Sequence, residues 1–158
     1  MSDVMHLDFK GYPLPGLQGG VAQKWTRARE RGAWHLRVAE LVLESRKRPK
    51  EPWSEAGVIC TRYASGVEPD RQNLSYSFKA IVDGLKRSWV IADDNPSVLL
   101  IERYEFERVE HRNEHKVTVT VGPAKDIWQI VRASVEPCAQ CGAFVDALPP
   151  MRKRTEEE

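Results

Sequence analysis

Cysteine is scarce in this chain of 158 residues: it occurs three times, an odd number that cannot close into a disulfide framework. A reducing, cytoplasmic setting follows as the expectation. Long apolar runs are missing too, and nothing approaches the about 20 consecutive apolar residues that span a bilayer. Met1-Ser2-Asp3-Val4 has neither the basic nor the apolar region of a secretory leader. No internal repeat is present. These absences exclude a disulfide-stapled mini-protein, a helical membrane protein and a solenoid. What remains is 41% hydrophobic and 30% charged, enough to bury one core in one domain.

The net charge of +1 hides an uneven distribution. From Lys24 to Lys50 nine basic residues (Lys24, Arg27, Arg29, Arg31, Arg37, Arg46, Lys47, Arg48, Lys50) face three acidic ones, so the remainder of the chain is acidic by −5. A basic segment of this kind suits phosphate backbones, while a solvated helix face is its bland reading.

The pattern predicts an α+β domain. Met5 to Phe9 reads as a strand and residues 11–20, rich in glycine and proline, as a loop. Trp34, Val38, Leu41 and Val42 predict a helix over about Arg29 to Ser45, ended by Arg46-Lys47-Arg48-Pro49. Gly57 to Tyr63 reads as a strand, and Leu74, Phe78, Ile81, Val82 and Leu85 form the stripe of a second helix capped by Asp70. A strand from Val98 to about Phe106, a hairpin loop from Glu107 to His115, and a strand from Lys116 to Val121 follow. Asp126 to Val135 fits either strand or helix, and residues 149–158 read as a charged, disordered tail.

On this framework Asp70, Gln72, Asn73 and Leu74 stand at the start of the second helix. Lys79 and Asp83 lie along it, and Asp93-Asp94 lies just beyond it. Clustered carboxylates are hard oxygen ligands of the kind that hold Mg²⁺, and a lysine beside them complements a phosphodiester. Singly, Asp70 is a helix cap, Asp83 an i,i+4 partner of Lys79, and Asp93-Asp94 a turn.

The ordered set Asp70-x-x-Asn73-Leu74, Lys79, Asp83-x-Leu85 and Asp93-Asp94 resembles the RusA-like Holliday junction resolvases, small Mg²⁺-dependent endonucleases of phages and bacteria. The likeness is strongest over 29–121 within a domain of 1–148, with 122–148 as an extension. It implies a small mixed sheet packed by two main helices, a homodimer and branched DNA as substrate, in the cytoplasm of a bacterial or phage-infected cell. Residue by residue it implies Asp70 and Asp94 as Mg²⁺ or Mn²⁺ ligands with Asp93 beside them, and Lys79 as the catalytic lysine. Lys24, Arg27, Arg29, Arg31, Arg46, Lys47 and Arg48 would hold DNA.

Gln72 departs from the pattern, standing where the family has its second aspartate and bringing an oxygen without charge. Lys79 lies about three residues further along than in the shortest members. A relative that binds branched DNA without cutting it is therefore the alternative reading. Outside the likeness, His111-x-x-x-His115 and Cys138-x-x-Cys141 have the types and local spacings of a Zn²⁺ ligand set; two free thiols are the alternative.

Overall fold

A computed structural model of the chain describes residues 3–10 and 22–134, with the backbone alone for 22–27. Alternation builds the first strand, β1 (Met5–Lys10): Met5, Leu7 and Phe9 are buried while His6, Asp8 and Lys10 face outward. Next come α1 (Ala22–Glu44), β2 (Ala56–Ala64), α2 (Arg71–Arg87), β3 (Leu99–Arg108), β4 (Lys116–Pro123) and α3 (Ala124–Ser134). One four-stranded sheet results, in the order β1-β4-β2-β3. β2 and β3 are parallel, and β4 is antiparallel to both β1 and β2. This is the α+β mixed sheet that the sequence predicts.

The direction of the strands fixes where everything else lies. β1, β2 and β3 point the same way, so α1 and α2 each carry the chain back from one end of the sheet to the other. Both helices end where β2 and β3 begin. Trp53 and Val90–Ala92 seal that end: Trp53 N–H donates to Val90 O at 3.0 Å and Ala92 N–H to Trp53 O at 3.0 Å.

The main core lies between the sheet and α1 with α2. Val58 and Cys60 of β2 and Val117, Val119 and Val121 of β4 meet Trp34, Val38 and Val42 of α1, and Leu74, Phe78, Ile81 and Leu85 of α2. Burial of the Cys60 thiol pushes its pKa well above the usual thiol range. Phe78 stacks on Tyr104 at 5.4 Å between centroids, and Phe9 packs on Trp34 at 5.2 Å. Gly84 lets the two helices approach, since a Cβ there would sit 3.0 Å from Val38. On the other face of the sheet, α3 drops Ile127 and Val131 onto Val4, Ile59 and Ile101.

Three expectations change. The helix expected from Arg29 starts at Ala22, because the apolar stripe marks only the part of α1 that reaches the core. The ambiguous segment after Val121 is helical, with Ile127 and Val131 at i,i+4 both buried. The hairpin expected between β3 and β4 is a crossover: both strands pair with β2, which lies between them. A short 3₁₀ turn at Arg112–Glu114 carries the chain over the end of β2. The tail 149–158 lies outside the described residues.

Both α1 and α2 end on a non-glycine residue in the left-handed region, Arg46 (φ 54) and Trp89 (φ 58). Helices prefer glycine there, and an L side chain costs about 1–2 kcal/mol.

Candidate functional site

Along α2, Gln72, Lys79 and Lys86 recur every seven residues, nearly two turns, and so lie on one side of the helix, with Asp83 between the lysines. The opposite stripe is buried, which leaves this side to solvent. Leaving α2, the chain dips into the core at Val90 and Ile91, both about fully buried, and surfaces at Asp93-Asp94 beside the lysines. A buried anchor is thus what aims these two carboxylates.

The turn is locked from within. Asp93 accepts from the Asp94 backbone N–H at 2.8 Å and, through its other oxygen, from Asn95 Nδ2 at 2.7 Å. Asn95 Oδ1 accepts from Ser97 N–H at 2.9 Å, and its backbone oxygen takes the Leu99 N–H at 2.9 Å as β3 starts. Lys79 Nζ donates to Asp94 at 2.5 Å and sits 3.3 Å from Asp83. Lys86 Nζ bridges the pair, bonding Asp93 Oδ1 and lying 3.1 Å from Asp94.

Charge follows this geometry. The ammonium of Lys79, then that of Lys86, holds the Asp94 carboxyl far below the usual carboxylate range. Lys86, seconded by the Asp94 backbone N–H, does the same for Asp93, to a lesser depth. Reciprocally, the hydrogen bond to Asp94 raises Lys79, and that to Asp93 raises Lys86. Asp93, Asp94, Lys79 and Lys86 are thus held ionised at neutral pH, and they remain partly in water: Lys79 is 56% exposed and Asp94 21%.

Asp70 stands elsewhere. It caps α2, accepting from Asn73 N–H at 2.8 Å, and its second oxygen takes the Asn73 side-chain amide. Nine residues, about 13 Å along the axis, separate it from Lys79, whose ammonium holds Asp94. Gln72 is exposed in the same first turn as the cap. The structure therefore joins Lys79, Asp83, Asp93 and Asp94, and leaves Asp70 and Gln72 at the opposite end of α2.

Among the described residues no group of three or more histidine, cysteine or acidic side chains is placed to hold a metal ion. Mg²⁺ does not need such a cage: it is held through one or two carboxylates, keeping waters and taking substrate phosphate. The rigid, water-facing Asp93-Asp94 pair fits that mode, with Asp83 reached across Lys79.

The basic residues divide between the two ends of the sheet. Arg46, Lys47 and Arg48 follow α1 at the end where Asp93-Asp94 lies, and all three are exposed. Lys47 Nζ additionally reaches Val4 O at 3.3 Å. Arg29 and Arg31 are exposed in the first half of α1, towards the end that carries Asp70; the side chains of Lys24 and Arg27 lie outside the described residues. Of the zinc-type set, His115 Nε2 accepts from the Ser65 N–H at 2.9 Å and lies 2.8 Å from its hydroxyl. His111 starts the 3₁₀ turn, its backbone N–H donating to Glu114. Cys138 and Cys141 lie outside the described residues.

Sequence reasoning missed Lys86 and Asn95. The first had a signal, since it follows Lys79 by seven residues on a helix already assigned. The second had none beyond its place in a turn. No protein-family model matches the chain, and no curated protein matches it in sequence at a significant level.

Proposed function

We propose that this protein is a structure-selective endodeoxyribonuclease that hydrolyses phosphodiesters of branched DNA such as Holliday junctions, with Mg²⁺ as cofactor. The observation that carries the reading is the meeting of Lys79 with Asp94 across 15 residues of sequence, in the family's order and with Asp83 on the same ammonium. A helix surface pair has no need of a locked, doubly acidic turn anchored by Val90 and Ile91.

Asp94 and Asp93 would hold the cation, which when bound supplies Lewis-acid activation of the scissile phosphate and of the attacking water. The protein's own part is positional and electrostatic. Asn95 and the Asp94 N–H fix the Asp93 carboxylate, and the ammoniums of Lys79 and Lys86 fix that of Asp94. Lys79, more than half exposed beside Asp94, would turn its ammonium to the charge growing on the phosphate oxygens. Lys86 remains to hold the Asp93 side of the turn, and Arg46, Lys47 and Arg48 hold the flanking backbone at the same end of the sheet. In-line attack by water forms a new bond to phosphorus as the bond to one ester oxygen breaks; the water gives up a proton to solvent and the leaving oxygen takes one from it.

A specific observation favours the second reading, a branched-DNA-binding relative that does not cut. Asp70 is held as a helix cap by Asn73, and Gln72 beside it brings no charge. Incubating the purified protein with labelled four-way junction, flap and duplex DNA separates the two. Cleavage of branched substrates in Mg²⁺ or Mn²⁺ that stops in EDTA and in Asp94→Asn supports the nuclease. Retarded junction with no product under any metal supports the binder, and neither retention nor cleavage rejects both.

A further inference from the structure

Trp89 is the largest side chain left in water among the described residues. It is 63% exposed, although its neighbours Val90 and Ile91 are buried to 1% or less. Its backbone is also in the left-handed region, where glycine would be unstrained. The segment is nevertheless tightly held: Ser88 N–H donates to Gly84 O at 2.9 Å, Trp89 N–H to Lys86 O at 3.1 Å and Val90 N–H to Leu85 O at 3.0 Å. The chain thus fixes an indole in solvent on a rigid, strained base, at a position that economy would give to glycine. No ring or cation among the described residues stacks on it.

What surrounds Trp89 selects the kind of partner. Lys86 and Arg87 precede it on the last turn of α2, both exposed, and Asp93-Asp94 follows within five residues. The end of α1, with Arg46, Lys47 and Arg48, is at the same end of the sheet. An aromatic face among several cations is the combination that takes a nucleobase and its phosphates together: the ring stacks on the base and the cations follow the backbone. An apolar peptide is the poorer match, since it offers no anion to the exposed Arg87, Arg46 and Arg48.

We propose that Trp89 is a base-stacking residue, its indole receiving an unpaired or unstacked base at the branch point while Arg87 contacts the adjoining phosphate. The inference rests on the DNA reading above and adds to it the feature being recognised, an exposed base rather than backbone charge alone. A paired duplex keeps its bases stacked and offers the indole nothing, so the residue discriminates structure rather than sequence.

The test compares wild type with Trp89→Ala, Trp89→Phe and Trp89→Gly on three probes of equal length: a four-way junction with unpaired bases at its centre, a single strand and a perfect duplex. Trp89→Ala is expected to weaken the first two by about tenfold and to leave duplex affinity unchanged. Trp89→Phe should restore part of the loss, because a smaller ring still stacks. Trp89→Gly removes the backbone strain, so it should hold the thermal midpoint and still lose the same affinity, which separates stacking from support of the fold. Equal weakening on all three probes, or none on any, overturns the stacking role while leaving the DNA reading in place. If sedimentation shows that wild type self-associates and Trp89→Ala does not, the indole is a protein contact and the proposal is wrong. Absence of wild-type binding to all three probes overturns the DNA reading and the inference with it.

Discussion

Replacing Lys79 with methionine keeps the aliphatic stem and deletes the charge, so it isolates what the ammonium does. The structural cost follows from exposure. Lys79 is 56% exposed, its contacts to Asp94 (2.5 Å) and Asp83 (3.3 Å) lie in high dielectric, and Asp94 keeps Lys86 at 3.1 Å. Such pairs contribute at most about 1 kcal/mol, a fall of roughly 2–4 °C in the thermal midpoint for a chain of this size. The catalytic cost is of another order. A single preorganised donor to the transition state is worth about 10²-fold or more in rate. Single-turnover cleavage of a labelled four-way junction in Mg²⁺, with a melting curve on the same preparation, measures both. A rate unchanged within twofold would remove Lys79 from the mechanism. A midpoint lowered by roughly 10 °C or more would show that the cluster is a structural brace, contrary to its exposure.

Asp70 can be divided in the same way: Asp70→Ala should cost about 1 kcal/mol through the lost cap, whereas Asp70→Asn keeps a capping oxygen and should cost much less, so cleavage lost in the asparagine variant would mark a role beyond the cap. Gly57→Ala should destabilise by about 1–3 kcal/mol in urea titration, because the new methyl would stand 2.7 Å from Ile127 Cβ under α3. The pH dependence has a definite sign. Asp94 is depressed by Lys79 and Lys86, so its stabilisation is full above the unfolded carboxyl pKa near ~3.9 and is lost as pH falls through the lower folded value. The midpoint difference between wild type and Asp94→Asn should therefore shrink below about pH 4, and a constant difference down to pH 2 would contradict the assignment.

The α2 unit was the most legible part of the chain because several local signals agreed there. Asp70 caps it, and Leu74, Phe78, Ile81, Val82 and Leu85 give its stripe. Agreement across levels of this kind is what makes a segment readable. Early α1 had no such signal: residues 28–33 are exposed, and among the described side chains of the helix Trp34 is the first that is buried. The β3–β4 error has a different cause. Alternation marks Val117, Val119 and Val121 as the buried face of β4 and says nothing about its neighbour, so the hairpin partner assigned to it is the wrong one. In the site, the order of Lys79, Asp83 and Asp94 was readable as a motif. That Asp70 and Asp94 stand apart follows from the 17 residues of α2 between them, about 25 Å of helix, a length the spacing of the apolar stripe already carried.

The sheet order also sets a timetable for synthesis. β2, α2 and β3 are consecutive, and their parallel pairing can form as soon as Arg108 has left the ribosome. β1, made first, has no partner until β4 arrives: Phe9 waits for Val117 and Met5 for Val121, more than 100 residues later. Through that interval Met5, Leu7 and Phe9 form an unpaired apolar edge, the kind of segment on which nascent chains stick to one another. The last strand threaded between β1 and β2 therefore closes the sheet and ends that exposure in one step. A nascent chain arrested with Arg108 outside the ribosome and residue 116 still within it should have its β2–β3 half protected from protease and its first ten residues not.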